Sequence, residues 1–213
     1  MEDQIADYLG QILPKKEDWV LELEEQAIKN NVPIMDTVGI HFVMQLVRIK
    51  QPKRILEVGT AIGYSALRML EASPNTSIVT IERDETRYQQ AINNINKLEK
   101  TNQIEVIYGD ALDILEKLQE ENQNFDFIFI DAAKGQYRRF FDLCSPLLTN
   151  NGMILTDNVL FRGYVMTDSQ EIPKRYRKMV EKIKLYNQFL MNHPAFTTSI
   201  IPIGDGVALS YKT

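Results

Sequence analysis

With 213 residues, 44% of them hydrophobic and 25% charged, the chain has the size and composition of one soluble globular domain able to bury a proper core. No apolar run reaches membrane-spanning length, and the opening MEDQIADYLG is too acidic and broken to read as a signal peptide. A net charge of −5 argues against a general nucleic-acid coat protein, and the only two histidines, His41 and His193, argue against a His-rich zinc site.

Residues 2–50 read as a helical extension on a core spanning 51–213, with the whole forming a single domain. Ile5, Tyr8, Leu9 and Ile12 recur at helical spacing, as do Val20, Leu23, Ala27 and Ile28. Asn30-Asn31-Val32-Pro33 breaks the pattern, and Asp36 can cap a third helix carrying Ile40, Val43, Met44 and Val47. From Arg54 onward strands alternate with helices. The strands are expected at 54–58, 77–82, 104–108, 125–130 and 152–156, with helices near 64–72, 85–99, 111–120 and 137–148. Such alternation predicts a parallel sheet covered on both faces. The lone Cys144 forms no internal disulfide, suits a reducing cytoplasm, and reads as a small apolar residue in a helix. A basic helix near 171–191 precedes two apolar runs, 197–203 and 207–211, whose Gly204-Asp205-Gly206 link signals a hairpin.

Ligands of open α/β sheets bind where strands end, so those ends hold the candidates. The first strand ends in Glu57 and turns through Gly59 and Gly63 into a helix. A pyrophosphate cradle would need glycines where this chain has Ala61 and Tyr64. Glu82, about twenty residues past the glycine turn, is placed to accept hydrogen bonds from ribose hydroxyls. The third strand ends in Gly109-Asp110-Ala111, where Asp110 can cap the next helix. The fourth ends in Asp131-Ala132-Ala133-Lys134 and the fifth in Asp157-Asn158. Two carboxylates and an amide are hard oxygen ligands, which suit Mg²⁺, or Mn²⁺ or Ca²⁺, and leave positions for substrate oxygens.

The glycine turn after Glu57 resembles motif I of class I S-adenosylmethionine-dependent methyltransferases. The DxxK of Asp131 and Lys134, joined to the DN of Asp157 and Asn158, resembles the metal-dependent O-methyltransferase family of catechol and caffeoyl-coenzyme A enzymes. The likeness runs from about Val32 to the C-terminus. It implies a Rossmann-like, mostly parallel seven-stranded sheet ending in an antiparallel hairpin, and usually a homodimer. It implies that Asp131, Asp157 and Asn158 bind the metal, and that Lys134 is the base or orients the substrate. It also implies that Met35, Glu57, Gly59, Gly63, Ser65, Glu82, Gly109, Asp110, Ala111 and Asp131 hold S-adenosylmethionine. Two departures stand out. Ala132-Ala133 replace the His-Trp of the animal catechol enzymes, and the insertion loop for coenzyme A esters has no evident counterpart.

Residues 162–184 hold seven cationic side chains against three acidic ones, a net +4 that leaves −9 on the rest of the chain. Such a run is often a solvated helix face. Arg162, Lys174, Arg175, Arg177 and Lys178 also fit a phosphate-bearing substrate. Among bacterial relatives the chain resembles the tRNA 5-hydroxyuridine methyltransferases, which implies the tRNA anticodon loop as partner. The 5-oxygen and 4-oxygen of that base form a pair much like a catechol, and a loop base can be splayed out without breaking a duplex. The alternatives are a small catechol or other hydroxyaryl substrate, and a non-catalytic cofactor-binding scaffold.

Overall fold

The computed structural model describes residues 2–213. Three helices come first, α1 (Glu2–Ile12), α2 (Asp18–Lys29) and α3 (Thr37–Lys50). The expected cap of α3 forms: Asp36 Oδ1 accepts from the backbone N–H of Val38 at 3.0 Å and of Gly39 at 2.9 Å. Val20, Leu23 and Ala27 of α2 are buried with Ile40, Val43, Met44 and Val47 of α3. The apolar stripe of α1 is not: Ile5, Tyr8, Leu9 and Ile12 keep 37% to 61% of their surface exposed.

The core then alternates β1 (Arg54–Val58), α4 (Tyr64–Ala72), β2 (Ser77–Glu82), α5 (Glu85–Lys97), β3 (Ile104–Tyr108), α6 (Ala111–Glu120), β4 (Phe125–Ile130), α7 (Tyr137–Leu147) and β5 (Leu148–Thr156). It closes with α8 (Lys174–Met191), β6 (Phe196–Ile201) and β7 (Val207–Lys212). The seven strands order as β3-β2-β1-β4-β5-β7-β6, with β7 alone antiparallel to its neighbours. This is the expected Rossmann-like methyltransferase sheet.

Alternation along each strand divides the core. Ile55, Phe127 and Phe129 face α3 and α4, whereas Leu56, Ile128 and Ile130 face α7 and α8. Of the boundaries that differ from the sequence reading, three have a visible cause. β5 begins at Leu148 rather than Gly152, because Leu148 pairs with Phe125 before an irregularity that absorbs the polar Thr149-Asn150-Asn151. The basic helix starts at Lys174, immediately after Pro173. β6 stops at Ile201, just before Pro202, which has no N–H to donate.

Candidate active site

Register lines up the strand ends. Val58 pairs with Ile81 and Ile130, Ile130 with Thr156, and Thr156 with Ala208. The residues that follow, Gly59, Glu82, Asp131 and Asp157, therefore share one edge of the sheet. The hairpin turn before β7 enters that edge because β7 runs backwards beside β5. A cleft of about 570 Å³ lies there, within the range of small-molecule sites.

One end of the cleft is built from β1, β2 and β3. Gly59 (φ +106°) leaves no room for a side chain, since a Cβ would lie 2.0 Å from the Asp131 carbonyl oxygen. Glu82 is buried on the cleft wall. Its Oε2 accepts from Ala61 N at 2.8 Å, and its Oε1 accepts from Arg83 N at 2.9 Å and Asp84 N at 2.8 Å. Three backbone donors fix the carboxylate and leave about one of its roughly four lone-pair sites for a ribose hydroxyl. Met35, Ser65, Gly109, Asp110 and Ala111 also line the cleft. Asp110 caps α6 through Leu112 N at 2.9 Å, so its helical role is met whether or not it touches a cofactor.

Two predicted cofactor residues are not on that wall. Gly63 (φ +84°) begins α4, and a Cβ there would meet Ala91 and Ile95 at 3.6 Å, so it serves the turn and α5 packing. Glu57 is fully buried on the α4 face of β1. It accepts from Ser65 Oγ and from Thr80 Oγ1, each at 2.5 Å, and Thr80 Oγ1 lies 2.6 Å from Thr60 Oγ1. Burial pushes its carboxyl up to about 8 against those hydrogen bonds, which lower it. Glu57 thus holds Ser65, which does reach the cleft, and does not itself line it.

The other end belongs to β4 and β5. Asp131, Lys134, Asp157 and Asn158 all line it. Asn158 takes a left-handed backbone (φ 56°), donating its N–H to Asp157 Oδ1 at 2.7 Å and its Nδ2 to Asp157 Oδ2 at 3.0 Å. Its Oδ1 is left facing Lys134, whose ammonium donates to it. Burial pushes the Asp157 carboxyl up to about 8, with Asp131 repelling its charge, and burial likewise raises Asp131 against the pull of Lys134. Two desolvated carboxylates that repel one another and an outward amide oxygen have the chemistry of a hard divalent-cation site. Among the described residues no three His, Cys, Asp or Glu side chains cluster as a metal site.

Residues 12–213 match the profile of a family described as O-methyltransferase. The chain belongs to that family. A catechol O-methyltransferase of Niastella koreensis is 30% identical over 217 residues, covering 98% of this chain and 96% of the relative. A caffeoyl-CoA O-methyltransferase of Populus kitakamiensis is 30% identical over 92% of this chain and 87% of its own. The structure of an O-methyltransferase from Bacillus cereus in complex with SAH superposes with a TM-score of 0.87 at 26% identity, covering 99% and 97% of the two chains. Sheet order, cleft and relatives agree on an S-adenosylmethionine-dependent O-methyltransferase.

Sequence reasoning does not reach every cleft residue of this O-methyltransferase. Asp205, Phe161 and Asp36 line it, and the sequence marks Asp36 only as a helix cap. The antiparallel register of β7 is the signal that points to Asp205. Of the five basic candidates Arg162 alone lines the cleft. Arg177 is spent elsewhere, donating to the carbonyls of Ile172 at 2.9 Å and Gln170 at 2.8 Å. Arg175 stacks on Tyr176, 4.5 Å from the ring centroid. Among the described residues no helix is long and apolar enough to cross a membrane.

Proposed function

We propose that the enzyme is a divalent-metal-dependent O-methyltransferase of small hydroxyaryl compounds carrying two adjacent oxygens, the catechol arrangement. The supporting observation is that Asp131 and the Asp157-Asn158 pair meet Lys134 at adjacent strand ends of the cofactor cleft. The relatives named for catechol and caffeoyl-CoA support the same substrate class.

When bound, Mg²⁺ lowers the pKa of a chelated hydroxyl and S-adenosylmethionine presents an electrophilic methyl. The chain's own residues do the rest. Asp131, Asp157 and the Asn158 amide oxygen would hold the cation. Glu82, with Ser65 and Met35, would hold the donor so that the hydroxyl oxygen approaches the methyl carbon in line; such positioning supplies much of the rate. The donor so held would supply the methyl, its carbon–sulfur electron pair staying with sulfur as the oxygen–carbon bond formed. As the ammonium that donates to Asn158, Lys134 is placed to orient that oxygen; only in its uncharged amine form would it take the hydroxyl proton.

The wobble 5-hydroxyuridine of tRNA is the second reading. It offers a similar oxygen pair, and Arg162 at the cleft is the observation that favours it. Against it, Lys174, Arg175 and Lys178 lie off the cleft wall, and Arg177 is occupied by carbonyls. A homodimer is part of the proposal, because the uncovered stripe of α1 invites a second copy. Incubation with labelled S-adenosylmethionine and Mg²⁺ against catechols and, separately, hydroxylated tRNA tests the substrate. Label entering tRNA alone would replace the small-molecule reading.

A further inference from the structure

Beyond β5 the chain is held in an uncommon backbone. Phe161 and Arg162 have φ of 38° and 54°, followed by Gly163 at 72°. Sterics disfavour positive φ for a phenylalanine, which persists there only when its surroundings impose it. The hairpin turn imposes it here. The Asp205 carbonyl accepts from Leu160 N at 2.9 Å and from Phe161 N at 3.1 Å, while its Oδ1 accepts from Arg162 N at 3.3 Å. Val159 N donates to Gly206 O at 2.9 Å, and the Leu160 side chain covers Gly206, where a Cβ would sit 2.3 Å from Leu160 Cγ. From α8, Asn187 Nδ2 donates to the Val159 carbonyl at 2.8 Å.

This clamp fixes two side chains of opposite character on the cleft wall. The Phe161 ring is almost fully buried, and the Arg162 side chain stays exposed beside it. Lys134 Nζ and Arg162 Cζ each lie 5.9 Å from the centroid of that ring. The two cations are therefore no more than twice that distance apart, close enough for one small molecule on the cleft wall to reach both. Lys134 marks the reacting end, because it donates to Asn158. Among the described residues the Arg162 guanidinium has no carboxylate within salt-bridge range and no hydrogen-bond acceptor. The nearby acids are engaged: the Asp205 carboxylate accepts from the Arg162 N–H, and Asp36 caps α3 with its second oxygen against Gly204.

We propose that Phe161 and Arg162 select the substrate, the dioxygenated ring lying against Phe161 while Arg162 binds an anionic group that the ring carries away from its reacting oxygens. This rests on the catechol-type reading above and narrows it to anionic hydroxyaryl or hydroxylated-base substrates. A guanidinium offers a planar fork that matches a carboxylate or a phosphate in two parallel hydrogen bonds. A neutral catechol would leave that fork unused.

The test compares three acceptors, catechol, 3,4-dihydroxybenzoate and 5-hydroxyuridine 5′-monophosphate, with S-adenosylmethionine and Mg²⁺ in excess. In the wild type an anionic acceptor should have a lower KM than catechol, and the two anionic arms separate a carboxylate from a phosphate source. In Arg162→Gln the ratio of kcat/KM for the preferred anionic acceptor over catechol should fall roughly tenfold, the factor for one charge-assisted hydrogen bond of about 1.4 kcal/mol. The loss should sit in KM, and Arg162→Lys should restore part of it. Phe161→Leu should raise KM for all three acceptors. A ratio left unchanged by Arg162→Gln, or a wild type that prefers catechol, overturns the selection by Arg162 and leaves the methyltransferase reading intact. No methylation of any acceptor removes both.

Discussion

Glu82 Oε2 accepts a hydrogen bond from Ala61 N at 2.8 Å, so the acid that ends β2 pins the turn that follows β1. Ala61 sits at φ 48°, a conformation usually left to glycine, and the Glu82 carboxylate is what meets its N–H there. One side chain thus shapes the turn and presents itself to the cleft. Replacing Glu82 with Ala should weaken binding of S-adenosylhomocysteine at least tenfold, since a charged acceptor contributes about 1.5–3 kcal/mol. Calorimetric titration reads this directly. Unchanged affinity in a protein with native circular dichroism would remove Glu82 from the cofactor site.

The two glycines of the turn should respond unequally to alanine. At Gly59 the new Cβ would lie 2.0 Å from the Asp131 carbonyl oxygen, a backbone atom that cannot rotate away. At Gly63 the nearest atoms are 3.6 Å off, and only the positive φ opposes a side chain. Gly63→Ala is therefore expected to cost about 1–2 kcal/mol, and Gly59→Ala clearly more, with β1 and β4 forced apart at the proposed metal end. Denaturant midpoints of the two variants check the order. Equal losses would mean that the strand ends move freely.

Protons and metal should compete. Burial and Asp131 push the Asp157 carboxyl up to about 8, and burial raises Asp131 too, so the metal-free pair should hold a proton at neutral pH. A cation needs the ionised form, so its binding should release protons, and its apparent affinity should rise with pH and level off above about 8. Stability follows the same sign. The unfolded chain ionises this group in the ordinary carboxylate range, whereas the folded protein keeps the proton. Metal-free stability should then fall as pH climbs from that range through about 8, and added Mg²⁺ should oppose the fall. Mn²⁺ titration followed by electron paramagnetic resonance at several pH values measures the affinity. A pH-independent affinity, or full binding in Asp157→Ala, would discard the proposed ligand set.

The strand ends are legible because each ends a run of apolar, β-favouring residues beside an acid or a glycine. Glu82, Asp131, Asp157 and Asn158 can be placed on one sheet edge from the order of elements alone. Glu57 departs from the ligand wall for a physical reason. It shares its strand face with Ile55, and register brings it opposite Thr80 beneath α4, which a strand-end rule does not reveal. Phe161 and Arg162 are harder still. Their aim depends on a left-handed backbone imposed by Asp205, more than forty residues away, and the local sequence carries no sign of that clamp.

The basic run shows the same dependence on context, and it separates its own residues. Arg177 donates to the carbonyls of Ile172 and Gln170, and Lys184 donates to that of Thr167 at 3.4 Å, so these cations tie down the segment leading into α8. Lys174 and Lys178 are exposed and make no such hydrogen bond among the described residues. Arg177→Ala should therefore destabilise the protein by about 1.5–3 kcal/mol, the range for hydrogen bonds from a charged donor, whereas Lys174→Ala with Lys178→Ala should stay within about 0.5 kcal/mol of wild type. Thermal melts measure both. If the two lysines neutralise phosphates of a tRNA substrate, their removal should also weaken tRNA binding and flatten its salt dependence, by about 0.7 in log–log slope for each phosphate left unneutralised. A lysine pair that leaves tRNA affinity and slope untouched would confine these side chains to a solvated helix face. An Arg177→Ala protein as stable as wild type would return Arg177 to the pool of free surface charge.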